Sequence, residues 1–302
     1  MITYLWAPPG RAKGGGNFGP LLDEGVRDGR VAIASYPEAF AGRAIAAGPV
    51  VFSDVPRLWG PPLVESARLW QRVVTAGGHP LNHPVRGLRR FALLRRLKAE
   101  GLNSFDIWRG DERREPMRYP LFVRGINDRD GPYGGLIHDR HQLDDAIETW
   151  VGRGRDPEHL LIVEFCDTRS TDRLYRRYTA YVVGERIFPW RMHFGREWIV
   201  REPRIENLAS DYDIGALIAE ERAFAAGDQH VEELRRVAKL AHLGLGRIDY
   251  AIQNGRIEIW EINWSPFEHE LPPPADDPQF DWFMTDRLPT LRAAIDAIDP
   301  QP

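Results

Sequence analysis

Short apolar runs alternate with helix-periodic windows along the first quarter of the chain. Val31-Ala32-Ile33-Ala34 and Val50-Val51-Phe52 read as buried strands. Windows at 37–47 and 62–76 read as helices, the second entered through Pro61-Pro62, where a fixed φ suits a first helical turn. His79-Pro80-Leu81-Asn82 adds a further short strand or loop. Strand, helix, strand, helix implies a parallel sheet with crossover helices, so residues 1–85 are expected to form an N-terminal α/β domain.

From Arg86 to Glu100 the spacing predicts a helix closed by Gly101 in the C′ position. At about 100° per residue, Leu88, Phe91, Ala92 and Leu94 share one arc, and Arg86, Arg89, Arg90 and Arg96 the other. That basic stripe is either a solvated face or one that sends a single arginine into a phosphate site. The pattern then changes to hairpins. Strands are expected near 104–108, 120–124, 160–165, 174–183, 186–192 and 196–200. Helices are expected at 140–153, 212–226 and 230–242. A strand pair at 246–252 and 256–262 and a closing helix at 287–298 complete the second unit, residues 86–302, which is α+β with antiparallel sheets.

That last strand pair is the most informative segment. Gly246-Arg247-Ile248-Asp249-Tyr250-Ala251-Ile252 and Ile257-Glu258-Ile259-Trp260-Glu261-Ile262-Asn263 flank an Asn254-Gly255 turn signal, which makes a β-hairpin. Register decides whether the acids meet. A two-residue turn would set Asp249 against Trp260; a three-residue loop over 254–256 would set Asp249 against Glu261. The second keeps Ile248, Tyr250 and Ile252 with Trp260 and Ile262, so the hydrophobic pattern predicts it. Two carboxylates side by side repel unless a cation lies between them, and hard oxygen donors of this kind suit Mg²⁺. An ordinary solvated strand face, with ion pairs to Arg247 and Arg256, is the competing reading.

Composition narrows the function classes. The 302 residues are 43% hydrophobic and 28% charged, with 40 Lys+Arg against 44 Asp+Glu and a formal charge of −4. That balance argues against nucleic-acid binding through a global positive field. No apolar run approaches the ~20 residues of a membrane helix, and the N-terminus lacks a secretory pattern. One cysteine, Cys166, leaves no partner for an internal disulfide and fits a reducing cytoplasm. Pairs such as His79 with His83 lack a third zinc ligand nearby. The glycine-rich stretch 10–19 is either a surface loop or a substrate-facing one; it is not the GxxxxGK[ST] phosphate loop.

The segment Gly246-Arg247-Ile248-Asp249 followed by Glu261-x-Asn263-x-x-Pro266 resembles the metal-binding hairpin of ATP-grasp ligases, with D-alanine–D-alanine ligases and glutamate-adding ligases nearest in wording. Further pieces follow in the family's order. Tyr119-Pro120-Leu121-Phe122-Val123-Arg124 resembles the strand ending in a phosphate-gripping basic residue. Gly131-Pro132-Tyr133-Gly134-Gly135 is similar to the glycine-rich loop that closes over the triphosphate. Leu161-Ile162-Val163-Glu164-Phe165-Cys166 resembles the strand and hinge, near 164–167, whose main chain pairs with adenine. Tyr175 to Gly184 resembles the strand before the family's glycine turn. The resemblance covers about residues 82–267.

It implies an ATP-grasp fold of two lobes and an ATP- and Mg²⁺-dependent carboxylate–amine or carboxylate–thiol ligase, working through an acyl phosphate on a small molecule or peptide. It further implies Asp249, Glu261 and Asn263 as metal ligands, and Arg247 and Arg177 as the residues that stabilise developing charge. ATP would be held by Arg90, Arg124, Gly131, Gly134, Gly135, Glu164, Phe165 and Cys166. Asp172, or Asp167, is the candidate for the ribose. Departures are visible: Arg90 and Arg124 stand where the family carries lysines, Thr179 stands at the strand position of a basic residue, and Phe267 replaces a glycine. Because a guanidinium fork is not a lysine's point charge, an ATP-binding module without turnover and a phosphotransferase are the competing readings. The oligomeric state is left open, a homodimer among the options.

Overall fold

The computed structural model describes residues 1–7, 20–43, 45, 48–128, 131–200, 205–266 and 272–298. Among these residues the strands make three four-stranded sheets. The first is parallel, in the order β2 (Val31–Ser35), β1 (Ile2–Trp6), β3 (Pro49–Phe52), β4 (His79–Leu81). Its crossovers carry α1 (Pro20–Arg27), α2 (Tyr36–Phe40) and α3 (Pro61–Thr75). β1 and α1 went unread in the sequence, and the glycine-rich stretch 10–19 lies outside the described residues. α2 is shorter than the expected 37–47: a Ser35/Glu38 capping box starts it, and Gly42 at φ 91° follows its end.

The second sheet is antiparallel, in the order β5 (Ile107–Arg109), β8 (Leu160–Glu164), β6 (Leu121–Gly125), β7 (Pro132–Ile137). The third, also antiparallel, runs β10 (Arg186–Gly195), β9 (Tyr175–Val183), β11 (Leu245–Gln253), β12 (Arg256–Asn263). Helices α4 (Arg90–Ala99), α5 (Arg140–Gly152), α6 (Ile214–Ala226) and α7 (Val231–Ala241) connect the strands of this half. The expected strand at 196–200 is absent: β10 runs on to Gly195 and the next residues turn.

Helix α4 differs from its expected form in a way that matters. It begins at Arg90, because the preceding segment makes other hydrogen bonds, Gly87 N–H to His83 O (2.8 Å) and Leu88 N–H to Ala241 O (3.2 Å). Its buried positions are Leu93, Leu94 and Leu97 rather than the Leu88–Phe91–Ala92–Leu94 arc. Arg90 shares that inward stripe at i, i+3, i+4 and i+7, so its guanidinium enters the protein. Gly101 does sit past the helix end with φ 69°.

One apolar cluster joins Ile2, Tyr4 and Val51 to Tyr181, Val183, Trp190 and Leu245, with Phe283, Leu288 and Leu291 of the closing helical segment Phe280–Asp296 packed on it. Asn82, at φ 66°, adds a polar tie: its Oδ1 accepts from Gly244 and Leu245 N–H (2.9 and 2.8 Å), and its Nδ2 donates to Leu245 O (2.7 Å). The parallel sheet is thus fixed against β9 and β11, the second of which carries Asp249. Among the described residues no helix is long and apolar enough to cross a membrane.

Candidate nucleotide and metal site

The β11–β12 hairpin brings Asp249 directly opposite Glu261, and Arg247 opposite Asn263, but by a different route from the expected one. Gln253 pairs with Arg256, so the turn is the two-residue Asn254-Gly255, with φ 51° and 74° as an Asn-Gly hairpin favours. The three-residue loop is not formed. Instead Tyr250 pairs with Ile259 and Asp249 with Glu261, leaving Trp260 as a bulge. A bulge inserts one residue and re-aims its neighbours; here Trp260 and Glu261 both reach the same cavity, and the Trp260 ring stacks on Phe105 at 5.1 Å. Asn103 braces the strand beside it: its Nδ2 donates to Ile259 O and its Oδ1 accepts from Ile259 N–H, both at 2.9 Å.

Four arginines surround the two acids. Arg247 donates to both Asp249 oxygens (2.8 and 3.2 Å), and Arg177 Nη1 lies 3.9 Å from the same carboxylate. Arg90 donates to Glu261 Oε2, with Arg124 Nη2 4.0 Å from that atom. Arg90 and Arg124 also donate to the Asp128 carbonyl (3.1 and 3.0 Å). Burial of the Glu261 carboxyl works against ionisation, yet Arg90 and Arg124 hold it down to about 2, so it is charged at neutral pH. Burial next to Arg90 lowers Arg124 to about 10, still protonated. Burial among Arg177, Arg191 and Arg247 pushes His193, the cross-strand partner of Arg177, well below its ordinary value and keeps it neutral.

Two cavities meet at Glu261. One, of about 410 Å³, is lined by Phe122, Arg124, Phe165, Cys166, Trp198 and Trp260, with Asp249 and Glu261 at one side. The other, of about 380 Å³, lies towards the parallel sheet and is lined by Asp54, Arg57, Arg90, Arg247, Asn263 and Ser265. Both volumes suit small-molecule ligands.

The oxygen set fits a hard divalent cation. Asp249, Glu261 and Asn263 occupy two adjacent strands, and Glu261 Oε1 accepts no hydrogen bond among the described residues. The arginines in turn suit phosphate oxygens. The Nε groups of Arg90 and Arg124 are buried and have no hydrogen-bond partner among the described residues, a state that a further acceptor would relieve.

Most expected site residues converge here, though not all. Gly131, Phe165 and Cys166 line the larger cavity with Arg124 and Arg177. Burial pushes the Cys166 thiol up to about 11, which makes it unreactive at neutral pH. Glu164 does not line the cavity; its carboxylate accepts from Asp106 N–H and Arg118 Nε (2.9 and 3.0 Å). Asp172 is also outside the lining and chelates Arg176 (3.0 and 2.7 Å). Gly134 and Gly135 are not in a loop: the segment after Gly131 is strand β7, whose pairing with β6 slips by two residues between Leu121 and Val123. Thr179 spends its hydroxyl on Arg191 O and N–H, and Arg177, two residues earlier on the same face, brings a guanidinium to 3.9 Å from Asp249.

Sequence reading missed Asp54, Arg57 and Ser265, which line the smaller cavity. A usable signal existed for Asp54, which follows the carboxyl end of a parallel strand, where α/β sheets bind ligands. None existed for Ser265.

The sequence matches no protein-family model and no curated protein. Its fold is nonetheless shared with solved structures. D-alanine–D-alanine ligase from Bacillus anthracis superposes with TM-score 0.52 at 11% identity, over 97% of this chain and 95% of that one. ATP-grasp ligase PsnB in complex with precursor peptide PsnA2 and AMPPNP gives 0.54 at 14% identity, over 98% and 97%. PsnB with a phosphomimetic minimal precursor, Mg and ADP gives 0.53 at 12%, over 98% and 96%. The chain has the ATP-grasp fold, with antiparallel sheets on either side of the larger cavity.

Proposed function

We propose that this protein is an ATP- and Mg²⁺-dependent ligase that joins a carboxylate to an amine, or to a thiol, on a small molecule or peptide. The observation that carries the reading is the Asp249–Glu261 pair, enclosed by arginines, with Glu261 shared by both cavities. In this reading the larger cavity takes ATP. The base would be held by Phe122, Phe165 and Trp198 and the phosphates by Arg124, with Arg90 beside them on Glu261. Asp249, Glu261 and Asn263 would hold Mg²⁺, which supplies positive charge to the phosphate oxygens. The smaller cavity takes the group to be joined. PsnB is described with a precursor peptide and with Mg and ADP, which supports ligands of these classes for such a fold.

The chemistry balances without a protein nucleophile. A carboxylate oxygen attacks the γ-phosphorus, the bond to the β-bridging oxygen breaks, and ADP leaves an acyl phosphate. An amine nitrogen then attacks the acyl carbon, phosphate departs with the electron pair, and the nitrogen loses a proton. Both steps build negative charge, and Arg247 and Arg177 are fixed donors where that charge develops, which is how such sites lower barriers. Arg90 and Arg124 in the lysine positions favour a second reading, an ATP-binding module without turnover. Saturating Mg·ATP should stabilise the fold by about 2.7 kcal/mol at a hundredfold excess over Kd, a gain that Asp249→Asn or Glu261→Gln should largely remove. ADP release that depends on an added pool of amino acids or peptides selects the ligase. ATP binding without ADP under every pool selects the module, and a melting temperature indifferent to nucleotide and metal overturns both.

A further inference from the structure

The described residues include a hydrogen-bonded chain that runs from the parallel sheet to Asn263 and that the reaction above does not use. Asp54 is buried at the carboxyl end of β3, held at φ 53°, a conformation that costs a non-glycine residue energy and persists only where the surroundings impose it. Its Oδ2 accepts from the Ala7 N–H at the end of β1 (3.1 Å). Its Oδ1 accepts from Ser265 Oγ (3.0 Å), and its own backbone N–H donates back to that hydroxyl (2.9 Å). Ser265 is buried as well, and its N–H donates to Asn263 Oδ1 (3.1 Å). Asp54 and Ser265 are 211 residues apart in sequence.

We infer that Asp54 and Ser265 are positioning residues that aim the Asn263 carboxamide oxygen at the metal, so that the parallel-sheet domain sets metal affinity in the other half of the molecule. The inference rests on the nucleotide-and-metal reading above. A carboxamide oxygen has two lone pairs. With one held by Ser265 N–H, the other is fixed in direction and the side chain cannot flip its NH₂ towards the ion. Ser265 keeps that direction only while its hydroxyl is locked on Asp54, which is itself locked on β1. Outer partners of metal ligands typically change affinity by about 10–100-fold when removed.

The test is calorimetric ADP binding by the full chain, in EDTA and across a Mg²⁺ titration, for wild type, Ser265→Ala, Asp54→Asn, Asn263→Ala and the Ser265→Ala/Asn263→Ala double variant. We expect Ser265→Ala to raise the half-saturating Mg²⁺ concentration about tenfold while leaving ADP affinity in EDTA unchanged. The double variant should then be no worse than Asn263→Ala alone, because the serine acts through the asparagine. Asp54→Asn should move the same quantity in the same direction; if that variant does not fold, Ser265→Ala with the double variant decides alone. An unchanged Mg²⁺ requirement in Ser265→Ala, an equal loss in EDTA and Mg²⁺, or additivity with Asn263→Ala overturns the inference and leaves the ligase reading intact. ADP binding by wild type that ignores Mg²⁺ overturns both.

Discussion

Glu261→Gln should act in opposite directions on the same nucleotide, depending on whether metal is present. Glu261 neutralises Arg90 and Arg124, both largely buried, while its own side chain stays about a third open, at 35%. Breaking a fully buried pair costs about 3–5 kcal/mol; the open side of this one screens it, so about 1–2 kcal/mol of stability should be lost in the free protein. The pH dependence has a definite sign. The folded-state value is depressed from 4.5 to about 2, so the stabilisation is complete above pH 4.5 and disappears as pH falls towards 2. The glutamine variant should lack that acid-side slope.

Binding of ADP in EDTA should instead improve. Removing one negative charge about 6 Å from a phosphate is worth roughly 3 kcal/mol at an effective dielectric of 20. Screening in an open cavity reduces this to about 1.4 kcal/mol, or about tenfold in Kd. With saturating Mg²⁺ the same variant should bind ADP more weakly than wild type, because a metal oxygen is gone. Isothermal titration in the two buffers reads both. If Glu261→Gln weakens ADP equally with and without Mg²⁺, the carboxylate is not the balance between arginine and metal described here.

Two further outcomes follow from the same geometry. Asn103→Ala removes both hydrogen bonds to Ile259 and leaves two buried backbone groups unpaired; it should cost about 2–4 kcal/mol in chemical denaturation and weaken Mg·ADP by loosening the Trp260 bulge, and a loss below about 0.5 kcal/mol would refute the brace. Cys166, with its thiol pushed up to about 11, should alkylate slowly at neutral pH, with a rate that climbs about tenfold per pH unit up to pH 10. Mg·ATP should slow it further, and a rate that levels off below pH 9 contradicts the burial argument.

The elements with a strong period were legible in the sequence: α3, α5, α6, α7, β9 and the β11–β12 hairpin fall within a few residues of their expected spans. The pairing of Asp249 with Glu261 was legible too, although the mechanism was not. Alternation showed which faces must match, and it could not tell a longer turn from a bulge at Trp260, because both add one residue. Periodicity put Arg90 on the outward arc of its helix, with a single inward arginine as the alternative, and only the family resemblance singled out Arg90. Periodicity assigns charged residues outward, and a guanidinium drawn inward by Glu261 has no local signature. β7 was hidden because glycines read as loop when their strand partner lies elsewhere. Asp54 and Ser265 meet only through the tertiary fold, so nothing near either in the chain announces the other.

Glu261 forms part of the wall of both cavities, so each compartment senses the ionic state of the other through one shared side chain. An anion entering on the Trp198 side would meet Arg124, 4.0 Å from the Glu261 carboxylate, and the field across the partition would change before anything arrived on the Asp54 side. In the proposed reaction, occupancy of the two chambers would be heterotropically linked, and thermodynamic reciprocity requires the influence to run equally in both directions. A kinetic analysis that treats the two ligands as independent would misassign that linkage to the chemical step.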